Sequence, residues 1–327
     1  MPQLVLTKAD ETHSFTVGGK AALLDELSEC GFPLNFSCRR GDCGQCAATP
    51  VSGEFAALNA ATPWQQGSQI LLCNSRAVGD VAIELEHLPE LEDIQHLRSP
   101  CKIVQLNKLS EDVLEVLLRL PPNSGFRFLP GQHIRLTNRA KVTRSYSMAE
   151  PANPDNLLRI HVRRMAGGAF SHYLFNEAVA NDLLHLEGPS GTFFLRRSFT
   201  TKKLIFLATG TGIAPIYAML LNLGAAEKPP LNITLIWGNR THQDAYLDDA
   251  LKALQHQLSF HYRCLYSREV ADAADPRHVQ DLLLEKDLQN AVVLAAGAPE
   301  MVRDARSHCL TLGLPEENFL ADPFTLS

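Results

Sequence analysis

No apolar run in this sequence reaches the roughly 18–20 residues that a helical bilayer crossing needs, so a membrane-spanning helix is not expected. The opening residues, Met1-Pro2-Gln3-Leu4-Val5-Leu6-Thr7-Lys8, lack the basic start and long apolar stretch of an export signal, and a cytoplasmic setting is expected. Positive charge is not in surplus. Lys and Arg total 30 against 36 Asp and Glu, a formal net of −6, which is a poor composition for neutralising phosphate backbones, and nucleic acid is not an expected partner. Internal repeats and low-complexity tracts are also missing. Hydrophobic residues at 45% and charged residues at 20% argue against a disordered or fibrous chain. In a reducing compartment the eight cysteines are thiols, catalytic groups or metal ligands, not structural disulfides.

What is present divides the 327 residues into three stretches, in line with a prior of roughly 150 residues per domain when one domain is small. Residues 1–93 hold 13 Asp/Glu and 5 Lys/Arg, a net of −8, whereas residues 94–327 hold 23 and 25, a net of +2. The acidic run Glu84–Asp93 leads into a stretch at 94–99 that reads as a linker. The second stretch, 100–197, reads as antiparallel β: Val113–Leu120, Gln132–Leu136 and Leu157–Arg163 are strand-like, and the last two alternate apolar with polar residues, the pattern of a sheet with one wet face. In the third stretch, 198–327, short continuous apolar runs (Leu204–Ala208, Ile233–Trp237, a weaker Phe260–Tyr266, and Ala291–Ala296) alternate with amphipathic patterns over Ile213–Leu223, Leu247–Leu258, Pro276–Glu285 and Pro299–Leu312. Strand alternating with helix predicts a doubly wound parallel sheet.

Four cysteines carry the first chemical signal. Cys38-x4-Cys43-x2-Cys46, followed by Cys73 after 26 residues, has the spacing by which plant-type ferredoxins hold a [2Fe-2S] cluster. Gly41 and Gly44 allow the backbone to wrap tightly, its amides can point at the sulfurs, and Arg39 and Arg40 add positive charge nearby. A structural zinc site is the competing use of four cysteines, but it usually pairs its ligands as two C-x2-C knuckles, and only one short pair is present. Cys30, Cys101, Cys264 and Cys309 have no second cysteine at ligand spacing and read as small buried hydrophobes.

Residues 34–46, LNFSCRRGDCGQC, resemble the cluster loop of a plant-type ferredoxin domain, which implies a β-grasp over about 1–93. Arg144-Ser145-Tyr146-Ser147, followed by Gly167-Gly168-Ala169-Phe170-Ser171, resembles the flavin domain of the ferredoxin–NADP reductase superfamily, an antiparallel β-barrel over 100–197. Chemically, an Arg can pair with a pyrophosphate, an aromatic ring can lie on an isoalloxazine, a hydroxyl can meet a flavin nitrogen, and a helix start offers free amides to phosphate. The resemblance implies that Arg144, Tyr146 and Ser147 contact FAD, that Gly168, Ala169, Phe170 and Ser171 hold its pyrophosphate, and that Val162 and Arg163 line its ribityl or adenine side.

Thr209-Gly210-Thr211-Gly212-Ile213-Ala214-Pro215 follows a buried apolar run and precedes a helix pattern, the arrangement that receives a dinucleotide. Pro215 stands where the full fingerprint has a third small residue, and a helix tolerates Pro in its first turn. The stretch resembles the pyrophosphate loop of the same superfamily and implies NADH or NADPH binding by Gly210, Thr211 and Gly212. Ala295-Ala296-Gly297-Ala298-Pro299 resembles its nicotinamide-facing loop, with Gly297 at the cofactor. Ala296 departs from the family, where many members carry Cys, so looser nicotinamide positioning or a slower hydride step is expected. Ser267 and Arg268 are candidates for the 2′-phosphate side, without the Lys and Tyr that usually accompany them. Asp322-Pro323-Phe324 resembles the family's tail, in which an aromatic shields the flavin and an acid relays a proton; Ser147, Asp322 and Phe324 are therefore the candidate catalytic residues.

Taken together, the chain resembles single-chain iron–sulfur flavoprotein reductases, in which NAD(P)H reduces FAD and FAD reduces the cluster. Two subgroups are similar: CDP-6-deoxy-Δ3,4-glucoseen reductases, which serve a pyridoxamine-dependent sugar dehydrase, and the reductase components of ring-hydroxylating dioxygenases and multicomponent monooxygenases. Pro100–Ile103, Leu186–Phe194 and Ala321–Phe324 look closest to the first. A non-catalytic redox sensor and a zinc-stabilised module remain open at this point. The acidic first stretch is expected to dock on a basic partner face, with acceptor reduction slowing as salt rises; reduction of the true acceptor that ignores ionic strength would remove that idea.

Overall fold

The computed structural model describes residues 1–9, 11–32, 34, 36, 39–41, 44–58, 69–227, 232–269 and 276–324. Cys38 and Cys43 lie outside the described residues. The chain divides into two compact units, Met1–Glu92 and Asp93–Ser327.

In the first unit, β1 (Gln3–Lys8) pairs antiparallel with β2 (Glu11–Thr16) and α1 spans Leu23–Glu29. Strands β3 (Ala47–Ser52), β4 (Phe55–Ala57), β5 (Ile70–Leu71), β6 (Ser75–Ala77) and β7 (Val81–Leu85) follow. The main sheet runs β2-β1-β7-β3-β5, with β1 and β7 parallel, and β4 and β6 form a separate pair. Leu4, Leu6 and Ile83 alternate inward from the sheet and meet Leu23, Leu24 and Leu27 on one helical face. Strand period two meeting helix period 3.6 produces this β-grasp.

The second unit opens with a six-stranded antiparallel sheet. Strands β8 (Leu97–Lys108), β9 (Val113–Arg119), β10 (His133–Thr137), β11 (Thr143–Ser147) and β12 (Leu157–Arg163) precede α2 (Ala169–Asn176) and β13 (Leu183–Ser190). Their order is β11-β10-β13-β8-β9-β12, and an isolated Met148–Ile160 bridge joins the two outer strands into a barrel. Strand β8 begins at Leu97, so Leu97–Ser99, read from the sequence as linker, pair with β13 instead.

The remainder forms β14 (Lys203–Thr209), α3 (Ile213–Gly224), β15 (Ile233–Asn239), α4 (Asp248–Gln255), β16 (His261–Tyr266), α5 (Glu285–Leu288), β17 (Ala291–Gly297), α6 (Pro299–Thr311) and β18 (Phe319–Pro323). All five strands are parallel in the order β16-β15-β14-β17-β18. The weak third apolar run is the edge strand, which explains its mixed polarity: only part of it is covered. The helix expected over Pro276–Glu285 is instead a 3₁₀ turn at Val279–Leu282 followed by the short α5. Asp281 accepts the His278 N–H (2.9 Å) and Asp287 accepts the Leu284 N–H (3.0 Å), so each aspartate starts a new turn and interrupts the helix.

Two barrel histidines are buried, His133 and His161. Desolvation lowers both to about 4; Arg135 and His96 add to the effect on His133, and at His161 Glu115 opposes it while Arg159 adds to it. An unfolded histidine titrates near 6.5, so between pH 6.5 and 4 the unfolded chain binds more protons. Stability is then lost as pH falls through that window, by up to about 1.4 kcal/mol per pH unit for each histidine. Thermal melts followed by circular dichroism should show the midpoint dropping across this range, and His133→Gln should flatten part of the drop. An unchanged slope in that variant would refute the assignment.

Candidate functional site

Pairing of Ala47 with Leu71, together with the Leu72 N–H donating to the Cys46 carbonyl (3.0 Å), brings the 44–46 turn beside 71–73. Cys46 and Cys73 are both buried. Gly41 and Gly44 have φ of +87° and +73°, and Arg39 has +55°, so the loop turns left-handed at three described positions, as tight wrapping around a bulky group requires. The Arg39 cation is committed elsewhere: its guanidinium lies 3.0 Å from Asp25 on α1 and 4.5 Å from the Phe36 ring centroid. Burial pushes the Cys101 and Cys309 thiols up to about 12, in keeping with their reading as core residues.

On the barrel, the Met148–Ile160 bridge and the Ala149 N–H bond to the Arg159 carbonyl (2.8 Å) end the contact between β11 and β12. Continued register would set Ser147, Tyr146 and Ser145 opposite His161, Val162 and Arg163. No such ladder forms among the described residues, so the two strands part and leave facing main-chain edges. The RSYS motif and the His161-Val162-Arg163 stretch, far apart in sequence, therefore line one wedge. Val162 is itself a core side chain, so only its main chain faces that wedge. The Tyr146 ring packs on Phe170 at 5.7 Å, and the Arg144 guanidinium folds back on its neighbour's carbonyl (2.7 Å).

Gly168 is the N-cap of α2, and by helix geometry the first-turn amides of Ala169, Phe170 and Ser171 have no intrahelical carbonyl to bond. A Cβ on Gly168 would lie 2.8 Å from both Met165 Cβ and Ser171 Oγ. The Ser171 hydroxyl accepts the Met165 N–H (3.1 Å) and donates to the Gly168 carbonyl (3.0 Å); it shapes the turn, while the amides remain for an anion.

In the parallel sheet, the 3₁₀ turn Gly210–Gly212 joins β14 to α3. A Cβ on Gly212 would strike the Ala296 carbonyl oxygen, and one on Gly297 (φ +134°) would strike Thr209. The Thr209 hydroxyl accepts the Ala298 N–H (3.1 Å). The two loops thus touch through backbone, at the carboxyl ends of adjacent strands, where doubly wound sheets bind dinucleotides. Arg163 of the barrel reaches toward these loops: it is 3.6 Å from Asp244 and its Nη1 would lie 2.7 Å from a Cβ on Gly210, while Asp112 of the barrel holds it at 3.0 Å. It thus bridges the barrel's β8–β9 turn and the dinucleotide turn.

Barrel and sheet meet at the expected catalytic residues. Asp322 pairs with Ala296 in the β17–β18 register, is almost fully buried, and accepts the Ser147 hydroxyl at 2.9 Å. The Phe324 N–H donates to the Gly297 carbonyl (2.7 Å). Ser267 and Arg268 stand exposed beyond the edge strand β16, with backbone bonds to Asn239 and Arg240.

Sequence reasoning missed the polar and aromatic residues beneath these loops. Glu115 pairs with Arg159 (2.5 Å), Arg159 with Glu150 (2.9 Å), and His161 Nδ1 lies 3.1 Å from the Tyr246 hydroxyl. Each is a single charged or aromatic residue in an otherwise ordinary strand or loop, and only the fold brings them together.

Comparison with known proteins assigns each stretch. Residues 6–78 match the 2Fe-2S iron-sulfur cluster binding domain, 100–195 the oxidoreductase FAD-binding domain, and 206–307 the oxidoreductase NAD-binding domain. Over 320 residues the chain is 33% identical to a CDP-6-deoxy-L-threo-D-glycero-4-hexulose-3-dehydrase reductase of Yersinia pestis, covering 96% of each chain. It is 31% identical to terephthalate 1,2-dioxygenase reductase component 1 of a Comamonas species, covering 97% of this chain and 96% of the other. Among solved structures, the ferredoxin reductase in carbazole 1,9a-dioxygenase superposes with a TM-score of 0.67 at 26% identity, covering 99% of this chain and 98% of that one.

Proposed function

The chain belongs to the reductases that carry a 2Fe-2S cluster domain, an FAD-binding domain and an NAD-binding domain on one polypeptide, and on that premise we propose that its electrons serve a pyridoxamine-dependent sugar dehydrase. The activity of the chain is NAD(P)H-dependent oxidoreduction, with electrons passing through FAD to a [2Fe-2S] cluster. FAD, once bound, accepts a hydride and releases electrons one at a time, the property that joins a two-electron donor to a one-electron cluster. The acceptor assignment is supported by near full-length similarity to the Yersinia reductase. The second reading, an oxygenase as acceptor, is supported by the similarity to the Comamonas reductase component.

The observation that carries the site assignment is the convergence of Ser147, Asp322 and the two glycine loops at the barrel–sheet junction. In this reading Arg144 and the first-turn amides of α2 (after Gly168, at Ala169, Phe170 and Ser171) hold the flavin pyrophosphate. Tyr146 lies against the ring system, the Val162 main chain borders it, and Ser147 bonds a ring nitrogen. Gly210, Thr211, Gly212 and Gly297 admit the nicotinamide dinucleotide, and Arg163 stands at its phosphates. Asp322 holds the Ser147 hydroxyl in place and can exchange a proton through it, while Phe324 covers the flavin face. Cys38, Cys43, Cys46 and Cys73 hold the cluster, and Ser267 and Arg268 face the adenosine end.

The test is reduction of purified acceptors. Holoprotein with NADH or NADPH should reduce cytochrome c, and should support turnover of a pyridoxamine-dependent CDP-hexulose dehydrase. Turnover with a terminal oxygenase and none with the dehydrase would favour the second reading. Lack of any NAD(P)H oxidation by cofactor-loaded protein would overturn the assignment.

A further inference from the structure

One set of buried contacts has no part in the roles above. Tyr246 lies in the segment between β15 and α4. Its hydroxyl is 3.1 Å from His161 Nδ1 on the barrel strand β12, and the two rings meet edge to face at 5.3 Å and 83°. The Tyr246 ring also meets Trp237 of β15, again edge to face, at 5.6 Å and 86°. Trp237 is fully buried, and its indole N–H donates to the carbonyl of Gly210 at 2.9 Å. The contacts therefore run without a break from the flavin barrel, through two aromatic rings, to the first residue of the dinucleotide turn.

The direction of the hydrogen bond follows from the surroundings of His161. Three titratable or charged groups face it: Glu115 of β9, Arg159 of β12 and Tyr246. Glu115 lies 4.0 Å from Nε2, which favours the proton on Nε2 and leaves Nδ1 to accept from the tyrosine hydroxyl. Outweighing desolvation by burial, hydrogen bonds from Asn107 and from Arg159, which is itself held between Glu115 and Glu150, lower the Glu115 carboxyl below its ordinary value and hold it in place. A second tie leaves the same segment two residues earlier, where Asp244 accepts the Thr241 N–H (2.9 Å) and lies 3.6 Å from Arg163. The 241–248 segment is thus fastened to β12 at 161 and at 163, the residues that border the wedge between β11 and β12.

From this geometry we infer that Tyr246 is a positioning residue for hydride transfer: through His161 on one side and Trp237 on the other, it fixes the Gly210–Gly212 turn against the flavin strand. The inference rests on the nicotinamide-to-flavin reading above. Hydride transfer needs its two reacting atoms at near-contact distance, and small misplacement is costly in rate. Dinucleotide affinity depends mainly on the amides of the turn, which the latch orients as a body but does not form. Loosening the latch should therefore slow transfer with little change in binding.

The test uses full-length holoprotein carrying Tyr246→Phe, which keeps both ring contacts and removes only the hydroxyl. In anaerobic stopped flow with NADH, the limiting rate of flavin bleaching should fall about tenfold, with the apparent dissociation constant within about twofold of wild type. Poorly folded protein would reduce the amplitude of bleaching, not the rate constant of the molecules that react. A second readout needs no turnover: in hydrogen exchange, the peptide spanning 204–216 should exchange faster in Tyr246→Phe while β17 is unchanged. Trp237→Phe, which removes the N–H donor to Gly210, should act on the same rate, and the double variant should fall short of the product of the two single losses. A wild-type limiting rate in Tyr246→Phe overturns the inference, as does full multiplicativity of the two variants. If wild-type flavin is not reduced by NADH or NADPH at all, the failure lies with the proposed function instead.

Discussion

Cys73→Ser should abolish electron delivery to one-electron protein acceptors while leaving flavin reduction intact. Cysteine thiolates hold [2Fe-2S] clusters, and a serine alkoxide at a buried position is a poor substitute. Cytochrome c reduction by NADH is expected to fall at least about a hundredfold, while ferricyanide reduction, which the flavin can drive directly, stays within about twofold; the first loss corresponds to roughly 2.7 kcal/mol or more at the rate-limiting step. The separation is credible because the hydrophobic cores are distinct. Leu4, Leu6, Leu23 and Ile83 form a core within the first unit, and the barrel and parallel-sheet cores are made of residues beyond 97. Since cluster binding is coupled to folding, the first unit can lose structure without dissolving the others. Paramagnetic resonance of the dithionite-reduced variant should lack the cluster signal. Retention of both signal and cytochrome c activity would show that Cys73 is not a ligand.

The second large effect belongs to Ser147. Its hydroxyl donates to buried Asp322 at 2.9 Å across the barrel–sheet junction. Ser147→Ala removes that donor from a side chain with little access to water and, in the reading proposed above, a partner for the flavin ring. Loss of a preorganised hydrogen bond at a reacting centre costs about 2–3 kcal/mol. Flavin reduction by NADH should therefore slow about 30- to 160-fold, with FAD still bound through the pyrophosphate contacts. Asp322→Asn should slow the same step, and the double variant should be little worse than the poorer single one, because the two side chains act as a unit. A limiting rate unchanged in both single variants would remove Ser147 and Asp322 from the catalytic step.

Much of this architecture is legible in the amino-acid sequence. The alternation of Leu157–Arg163 and the continuous runs at Leu204–Ala208 and Ala291–Ala296 correspond to β12, β14 and β17, because a strand with one wet face alternates in polarity whereas one buried on both faces is apolar throughout. The glycines of the 210–212 turn were legible for the opposite reason: only a missing side chain satisfies the approach to Ala296. The interruption at Pro276–Glu285 was not legible. Its apolar spacing fits a helix, and what breaks it is the competition of Asp281 and Asp287 side chains for nearby amides, an energy that periodicity does not register. The Arg39–Asp25 pair and the Arg159 network were hidden for another reason: an arginine's reach depends on which strand or helix ends up beside it. Arg163 illustrates the limit, since its ion pairs reach both Asp112 in the barrel's β8–β9 turn and Asp244 beyond β15, partners that no motif spacing announces.

The touching backbones of Gly212 and Gly297 also restrict how this reductase could be redesigned. Any methyl group at either position would wedge apart the carboxyl ends of β14 and β17, so neither is a usable handle for altering coenzyme choice. If Ser267 and Arg268 face the adenosine end as proposed, the outer strand β16 offers one. Ser267 and Arg268 extend from β16 into open surroundings, where side chains can be exchanged without repacking the interior, and a mutational library aimed at coenzyme preference belongs there.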